Sequence, residues 1–116
     1  MELSNAVKAL GALAQDSRLK VFRLLVRRGP DGLPAGDIAR ALKAPPNTMS
    51  AHLAILSRAG LVSARKQGRS IIYTVNLEGT RKLLAYLVED CCGGKPDVCR
   101  PLIASALAEC CGEECR

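Results

Sequence analysis

Six cysteines lie in the last 26 residues of this 116-residue chain. They form two groups of the same pattern, a neighbouring pair and then a third: Cys91, Cys92 and Cys99, followed by Cys110, Cys111 and Cys115. Thiolate is a soft ligand, and three thiolates can surround a thiophilic ion such as As(III) or Sb(III) in a pyramidal site. A reducing cytosol keeps thiols free, so the clustering predicts metal binding or redox sensing rather than a disulfide framework.

The segment between Cys92 and Cys99 contains Gly93, Gly94 and Pro96, which lets the chain fold back so that Cys99 becomes the third ligand. Zn(II) normally takes four nitrogen or sulfur ligands, and three cysteines fall short of that number. The second cysteine group has several open interpretations: it completes a four-cysteine site, forms a second three-cysteine site with an accessory or ion-delivery role, or belongs to a disordered tail.

Amphipathic helices must position these cysteines. Apolar residues recur every three or four positions near residues 3–15, 18–28, 37–43, 47–59 and 80–90, and a last short helix is expected at 98–108. Asp16 is expected to cap the second helix, with an inner stripe made of Leu19, Phe22, Leu25 and Val26. The chain has one Phe, two Tyr and no Trp, so its core must consist of Leu, Ile, Val and Ala.

Two of these helices are joined by a tight turn, because the pair Pro45 and Pro46 cannot continue the first of them. In the second, Met49, Leu53 and Leu56 face inward. Its predicted outward face is small and polar: Asn47, Thr48, Ser50, Ala51, His52 and Ser57. This arrangement is typical of a helix-turn-helix, in which short polar side chains approach base edges or phosphates in the major groove.

Two β-branched runs on either side of residues 66–69 predict a β-hairpin, with Gly68 providing the positive φ of its turn. Arg65, Lys66 and Arg69 are expected at the tip, as a basic wing that contacts DNA or as a solvated turn. The predicted fold class is therefore mainly α with a β-hairpin wing. The predicted DNA-binding residues are Asn47, Thr48, Ser50, His52, Arg65, Lys66 and Arg69.

The net charge of +6 is unevenly distributed along the chain. Residues 1–88 contain 14 Lys/Arg and 5 Asp/Glu, whereas residues 89–116 contain 3 and 6. A basic body favours a polyanionic partner, because each neutralised phosphate releases counterions. No apolar run is long enough to span a bilayer and no signal peptide is evident, so we expect a cytoplasmic protein with no membrane partner. No catalytic arrangement or phosphate-binding loop is present, so we expect neither an enzyme nor an organic cofactor.

The runs Ala12–Leu25, Asn47–Val62 and Gly68–Tyr73, in this order, closely resemble the ArsR/SmtB family of winged-helix metal-sensing repressors. The resemblance covers about residues 5 to 90. It implies a homodimer in which the first and fifth helices pair, here residues 3–14 and 80–90, and a recognition helix in the major groove. It also implies release of DNA when an effector binds.

The chain departs from the family at two known types of sensing site. Arsenic sensors with a cysteine cluster at the third helix have it where this chain has Pro34, Gly36 and Ala39. Zinc and nickel sensors place Asp, His and Glu ligands on the fifth helix, but the only histidine here is His52. Some arsenic-responsive members instead carry a cysteine pair and a third cysteine just beyond the fifth helix, and Cys91, Cys92 and Cys99 are similar to that arrangement.

The sequence therefore predicts a winged helix-turn-helix domain at residues 1–90 and a cysteine-rich tail at 91–116. The predicted function is a repressor released from its operator by As(III) or Sb(III). Two alternatives stay open. One is a redox or persulfide sensor in which Cys91 or Cys92 pairs with a distant cysteine. The other is a metal-trafficking protein whose helix-turn-helix is incidental.

Overall fold

The computed structural model describes residues 1–88 and 96–111. The described elements follow one another as α1 (Leu3–Leu13), α2 (Asp16–Arg28), a 3-10 turn (Gly29–Asp31), β1 (Leu33–Pro34), α3 (Ala35–Ala41), α4 (Pro46–Arg58), β2 (Val62–Gln67), β3 (Ser70–Val75), α5 (Leu77–Val88) and α6 (Pro96–Cys111). The three strands form one antiparallel sheet in the order β1-β3-β2. This is a winged helix-turn-helix, mainly α with a hairpin wing, and the predicted fold class is confirmed.

The core consists of apolar side chains from the first five helices and from strands β2 and β3. Its largest fully buried members are Leu25, Ile38, Met49, Leu53, Leu56, Leu61 and Val21. The inward positions predicted for α4 are therefore confirmed. The inner stripe predicted for α2 is wrong in part, because Leu19 and Val26 are exposed and Val21 is buried instead. Val21 and Leu25 lie one turn apart on the face that packs into the core.

The cap of α2 also differs from the prediction. The helix begins at Asp16, and the residue before it, Gln15, has extended backbone and accepts the Arg18 N–H with its side chain at 2.9 Å. Asp16 therefore lies in the first turn, where a carboxylate is favoured by the helix dipole, and Gln15 makes the capping hydrogen bond.

Helix α1 buries only small side chains. Ala6, Ala9 and Ala12 face the protein, whereas Leu3, Val7 and Leu10 are exposed. Alanine lets α1 approach its neighbours closely, and the exposed residues, spaced i, i+4 and i+7, form an apolar stripe on the opposite side.

The turn between α3 and α4 contains a strained residue. Lys43 has φ of 54°, and it is the one non-glycine residue with positive φ in the described part of the chain. The left-handed conformation costs an L-residue about 1 to 2 kcal/mol because its Cβ lies too close to the backbone.

We expect Lys43→Gly to raise the free energy of unfolding by about 1 kcal/mol, because glycine adopts this conformation without the Cβ penalty. Urea denaturation followed by circular dichroism measures the change. Lys43→Ala is the control, since it removes the charge and keeps the Cβ. A stability gain with alanine as large as that with glycine would contradict the explanation by strain.

The hairpin has the predicted form. Strands β2 and β3 pair from Val62 with Val75 to Gln67 with Ser70, leaving a two-residue turn in which Gly68 has φ of 63°. Positive φ at the first turn residue is the pattern of a type II′ turn. Gly60, just beyond α4, has φ of 79°, as expected for a helix-ending glycine.

The last two helices begin earlier than predicted, and the predicted end of the fifth helix, at residues 89–90, lies outside the described residues. Helix α5 begins at Leu77 rather than Thr80, because the side chain of Asn76 accepts the Gly79 N–H at 3.0 Å and caps the helix. Helix α6 runs from Pro96 to Cys111 and contains Pro101.

Backbone contacts divide the chain into two compact units, Met1–Leu84 and Ala85–Arg116. Among the described residues, no helix combines the length and hydropathy needed to cross a bilayer.

Candidate nucleic-acid interface and cysteine-rich segment

The exposed face of α4 carries most of the side chains predicted for it. Asn47, Thr48, Ser50 and Ala51 are exposed at the start of the helix. His52 differs from the prediction, because it is half-buried and its buried Nδ1 has no hydrogen-bond partner among the residues that the structure describes. It lies three residues after Met49, whose side chain is in the core, and therefore at the edge of the packed face.

The N-terminus of α4 is open to a ligand. Pro45 precedes the helix without a side-chain cap, and the first turn contains no acidic residue. The backbone N–H groups of a first helical turn have no acceptor within the helix, and the helix dipole gives this end a partial positive charge. Such an end attracts a phosphate oxygen.

The three basic residues of the wing are not equivalent. Arg65 pairs with Ile72 well below the turn, and its guanidinium donates to the carbonyls of Pro30 at 3.4 Å and Asp31 at 3.2 Å. The prediction that Arg65 lies at the tip is therefore wrong, because its side chain attaches β2 to the 3-10 turn. Lys66 and Arg69 are exposed at the end of the hairpin as predicted.

The charged side chains of α4 and the hairpin are all positive. Residues 46–75, which include α4 and the hairpin, contain Arg58, Arg65, Lys66 and Arg69 and no Asp or Glu. Carboxylates elsewhere in the first unit are partly neutralised by neighbours. Asp37 forms an ion pair with Arg40, and hydrogen bonds donated by Arg81 hold the pKa of Glu78 below its ordinary value. The α4 and hairpin surface is therefore suited to a polyanion.

Two helices carry exposed apolar residues. On α1 the stripe is Leu3, Val7 and Leu10, with Val7 60% exposed, and on α5 it includes Leu77 and Leu84, with Leu84 58% exposed. Leu87 and Val88 continue the apolar pattern of α5 and are also exposed. A monomer rarely presents a contiguous apolar surface of this kind to water, which marks these helices as a candidate protein interface.

An open recess lies where α1, the end of α4 and the start of α5 meet. Its volume is about 290 Å³. Its lining residues are Met1, Asn5, Lys8, Arg58, Ala59, Gly60, Asn76, Glu78, Gly79 and Lys82. The two helices with apolar stripes are thus neighbours near the C-terminal end of α4.

The structure describes three of the six cysteines at the level of the backbone. Cys99 lies in the first turn of α6 and Cys110 and Cys111 end that helix, whereas Cys91, Cys92 and Cys115 lie outside the described residues. Cys110 lies eleven positions after Cys99. At a rise of about 1.5 Å per residue, their backbones are about 16 Å apart along the helix. The two cysteine positions therefore lie at opposite ends of α6.

Within the described ranges, no three His, Cys, Asp or Glu side chains come together to hold a metal ion. The predicted ligand set of Cys91, Cys92 and Cys99 extends beyond those ranges and stays a prediction. Its chemistry fits a thiophilic ion, since all three donors are thiols.

Comparison with known proteins identifies relatives of the DNA-binding helices. A family model described as a helix-turn-helix domain matches residues 13–64. The transcriptional activator HlyU of Vibrio cholerae is 30% identical over 84 residues, which are 72% of this chain and 75% of HlyU. A homodimeric winged helix-turn-helix domain from Mycobacterium bovis, a possible ArsR-family regulator, aligns with a TM-score of 0.63 and 30% identity. The alignment covers 74% of this chain and 78% of that domain.

The chain belongs to the ArsR/SmtB family. A further structure, of a possible transcriptional regulator for arsenical resistance, is also similar to it. That structure aligns with a TM-score of 0.60 and 30% identity over 69% of this chain and 80% of the other. Like its relatives, this ArsR/SmtB protein is a transcriptional regulator with a helix-turn-helix DNA-binding domain.

Several features of this ArsR/SmtB protein were not predicted from its sequence. Arg58 lies eleven residues after Asn47 and is exposed, so it extends the open face of α4. The anchoring role of Arg65 depends on the 3-10 turn, which no local pattern revealed. Gly79 offered a signal, because glycine in a helix interior costs about 1 kcal/mol relative to alanine and usually has a packing reason.

Proposed function

We propose that this ArsR/SmtB regulator is a homodimeric repressor that leaves its operator when As(III) or Sb(III) binds Cys91, Cys92 and Cys99. The observation that carries the proposal is the position of the first cysteine pair. Helix α5, with its exposed apolar residues, extends to Val88, and the pair follows three residues later. An ion bound there would act directly on the end of the dimer-forming helix.

The DNA-binding surface would consist of α4 and the hairpin tip. Asn47, Thr48 and Ser50 approach base edges in the major groove, while the open N-terminus of α4 faces a phosphate. Lys66 and Arg69 reach the adjacent backbone or minor groove. His52, half-buried at the edge of the core, has a smaller role in base recognition than these exposed residues and helps to orient the helix.

Dimerisation would bury the apolar stripes of α1 and α5. Two observations support this dimer. Val7 and Leu84 are mostly exposed, and the similar Mycobacterium bovis domain is homodimeric. A twofold dimer places two recognition helices about one turn of DNA apart, so both half-sites are read together.

The effector site would use three thiolates from one chain. Chelation fixes the distance between Cys99, in the first turn of α6, and the pair near the end of α5. A change at the end of α5 alters the dimer geometry and moves the recognition helices away from their half-sites. The similar regulator for arsenical resistance supports this class of effector, whereas HlyU is an activator. Repression, rather than activation, is therefore part of the proposal.

A parallel titration tests this function. Reduced protein is bound to a labelled fragment of its own promoter, and arsenite, antimonite, Zn(II), Cd(II) and diamide are added separately. Release by low concentrations of arsenite or antimonite is the expected result. Release by diamide alone would replace the metalloid sensor with a redox sensor. Failure to prefer the promoter over unrelated DNA would favour the metal-trafficking alternative.

The salt dependence of operator binding should distinguish the wing residues. Each phosphate contact contributes about 0.9 to the slope of log K against log salt. We expect Lys66→Gln and Arg69→Gln each to reduce that slope by about two units, because the proposed homodimer contains two copies of each residue. Arg65→Gln should weaken binding with little change in slope, because its guanidinium is held by the Pro30 and Asp31 carbonyls. Arg81→Gln, outside the DNA-binding surface, is the control.

The same slopes can contradict the assignment of Lys66 and Arg69 to the DNA-binding surface. An unchanged slope for Lys66→Gln and Arg69→Gln would remove the hairpin tip from the DNA-binding surface. A slope reduced by about two units in Arg65→Gln would show that this guanidinium leaves the 3-10 turn and binds a phosphate in each half-site.

A further inference from the structure

Gly79, in the first turn of α5, lies directly against the backbone of Gly60 at the end of α4. A Cβ atom on residue 79 would collide with the Gly60 carbonyl oxygen and would lie 3.0 Å from its carbonyl carbon. Real Cβ atoms essentially never approach backbone so closely, and a carbonyl oxygen cannot rotate away like the end of a side chain. The contact is therefore possible only without a side chain at residue 79.

Backbone conformation does not explain this glycine. The described glycines with positive φ are Gly29, Gly32, Gly60 and Gly68, and Gly79 is not among them. In an ordinary helical conformation, glycine is about 1 kcal/mol less favourable than alanine. The close approach to Gly60 is the feature that requires glycine at this position.

A hydrogen bond joins the two helix ends beside this contact, and two others hold the ends themselves. The Asn76 N–H donates to the Leu61 carbonyl at 2.9 Å, and the Asn76 side chain accepts the Gly79 N–H at 3.0 Å. The Leu61 N–H in turn donates to the Leu56 carbonyl within α4 at 3.1 Å. The bond from Asn76 to Leu61 joins the start of α5 to the residues that follow α4, and it is made by backbone groups.

We propose that the contact between Gly60 and Gly79 sets the angle between α4 and α5, which makes Gly79 a positioning residue for operator binding. This inference rests on the proposed DNA-binding dimer. There, α5 lies at the twofold interface and α4 lies in the groove, so their angle determines the separation of the two recognition helices. Asn47 is about 20 Å from Gly60 along α4, so a small tilt at the joint is enlarged at the DNA.

The test measures which half-site spacing the protein prefers. After footprinting of the operator, three duplexes are made, with the natural spacing and with one base pair added or removed between the half-sites. Wild-type protein should bind the natural spacing best. Gly79→Ala should bind the natural duplex about tenfold more weakly, within the usual range of coupling between sites, and lose the preference for it. Its binding to a single half-site should be unchanged.

Two glycine variants provide matched controls. Gly36→Ala is also a helical substitution, and its Cβ would meet only the end of the Arg40 side chain at 3.6 Å. Gly29→Ala introduces strain at φ of 80° with nothing within 4 Å, so it lowers stability without displacing a neighbour. Both should keep the wild-type spacing preference. Unfolding curves correct each affinity for the folded fraction.

A wild-type spacing preference in folded Gly79→Ala would overturn the proposal and leave Gly79 a packing residue. If Gly79→Ala does not fold, Asn76→Ala decides, because it adds no atoms and removes the hydrogen bond that fixes Gly79 in the first turn of α5, against Gly60. A flatter spacing preference in Asn76→Ala supports the proposal, and an unchanged one overturns it. If wild-type protein binds none of the duplexes specifically, the proposed function fails instead.

Discussion

Cys99→Ser is expected to bind the operator as tightly as wild-type protein and to stay bound when arsenite is added. Serine preserves the size of the side chain but replaces a soft thiolate with a hydroxyl that binds As(III) weakly. Typical coupling between two ligands changes affinity by roughly 5- to 150-fold, and the wild-type protein should lose operator affinity within this range. Mobility shifts across an arsenite titration, in the presence of a reducing agent, measure the difference.

Cys110→Ser is the matched control for this experiment. It makes the same chemical change in the same helix, about 16 Å along the α6 axis from Cys99. We expect Cys110→Ser to respond to arsenite like the wild-type protein, while Cys91→Ser and Cys92→Ser behave like Cys99→Ser. If Cys99→Ser still releases DNA at wild-type arsenite concentrations, the three-cysteine site is wrong. If Cys110→Ser also loses the response, the two cysteine groups act together across chains.

Val7→Asp is expected to convert the dimer to a monomer and to reduce operator affinity by about a hundredfold or more. Val7 is 60% exposed on the apolar stripe of α1, so an aspartate is harmless to the monomer but places a charge in the proposed interface. Loss of the second half-site removes the avidity of a bivalent protein, which is worth about 10²- to 10⁴-fold. Analytical ultracentrifugation and mobility shifts measure the two effects.

Val26→Asp provides a comparison on another helix. Val26 is exposed on α2 to a similar degree, 49%, and lies outside both proposed interfaces. Val26→Asp should therefore leave both the mass of the dimer and its operator affinity unchanged. A dimeric Val7→Asp with wild-type affinity would exclude α1 from the interface.

The sequence predicted the architecture because its signals were local. The Pro45 and Pro46 pair, the spacing of Met49, Leu53 and Leu56, and Gly68 in the hairpin each determine a short stretch of backbone, and the structure confirms all three. The start of α5 was misplaced because its cap is Asn76, a residue that is also common in turns.

Features that depend on distant contacts could not be predicted. Nothing near Arg65 in sequence indicates that it would donate to carbonyls 34 and 35 residues away, and hydrophobic periodicity could not show which side of α2 is buried. On α1, helical spacing alone did not show which apolar residues are buried, and the structure buries Ala6, Ala9 and Ala12. An apolar stripe that contacts a second chain has the same periodicity as one that packs into the core. Sequence alone therefore does not distinguish the two.

The run of residues 46–75 without a carboxylate also affects how fast a regulator can find its operator. A surface whose charged side chains are all positive is attracted to any DNA duplex, whatever its base sequence, because binding releases counterions. Once captured, the protein can slide and hop along the double helix, so that part of a three-dimensional search becomes one-dimensional. The time needed to restore repression after the effector is removed should therefore lengthen as ionic strength rises.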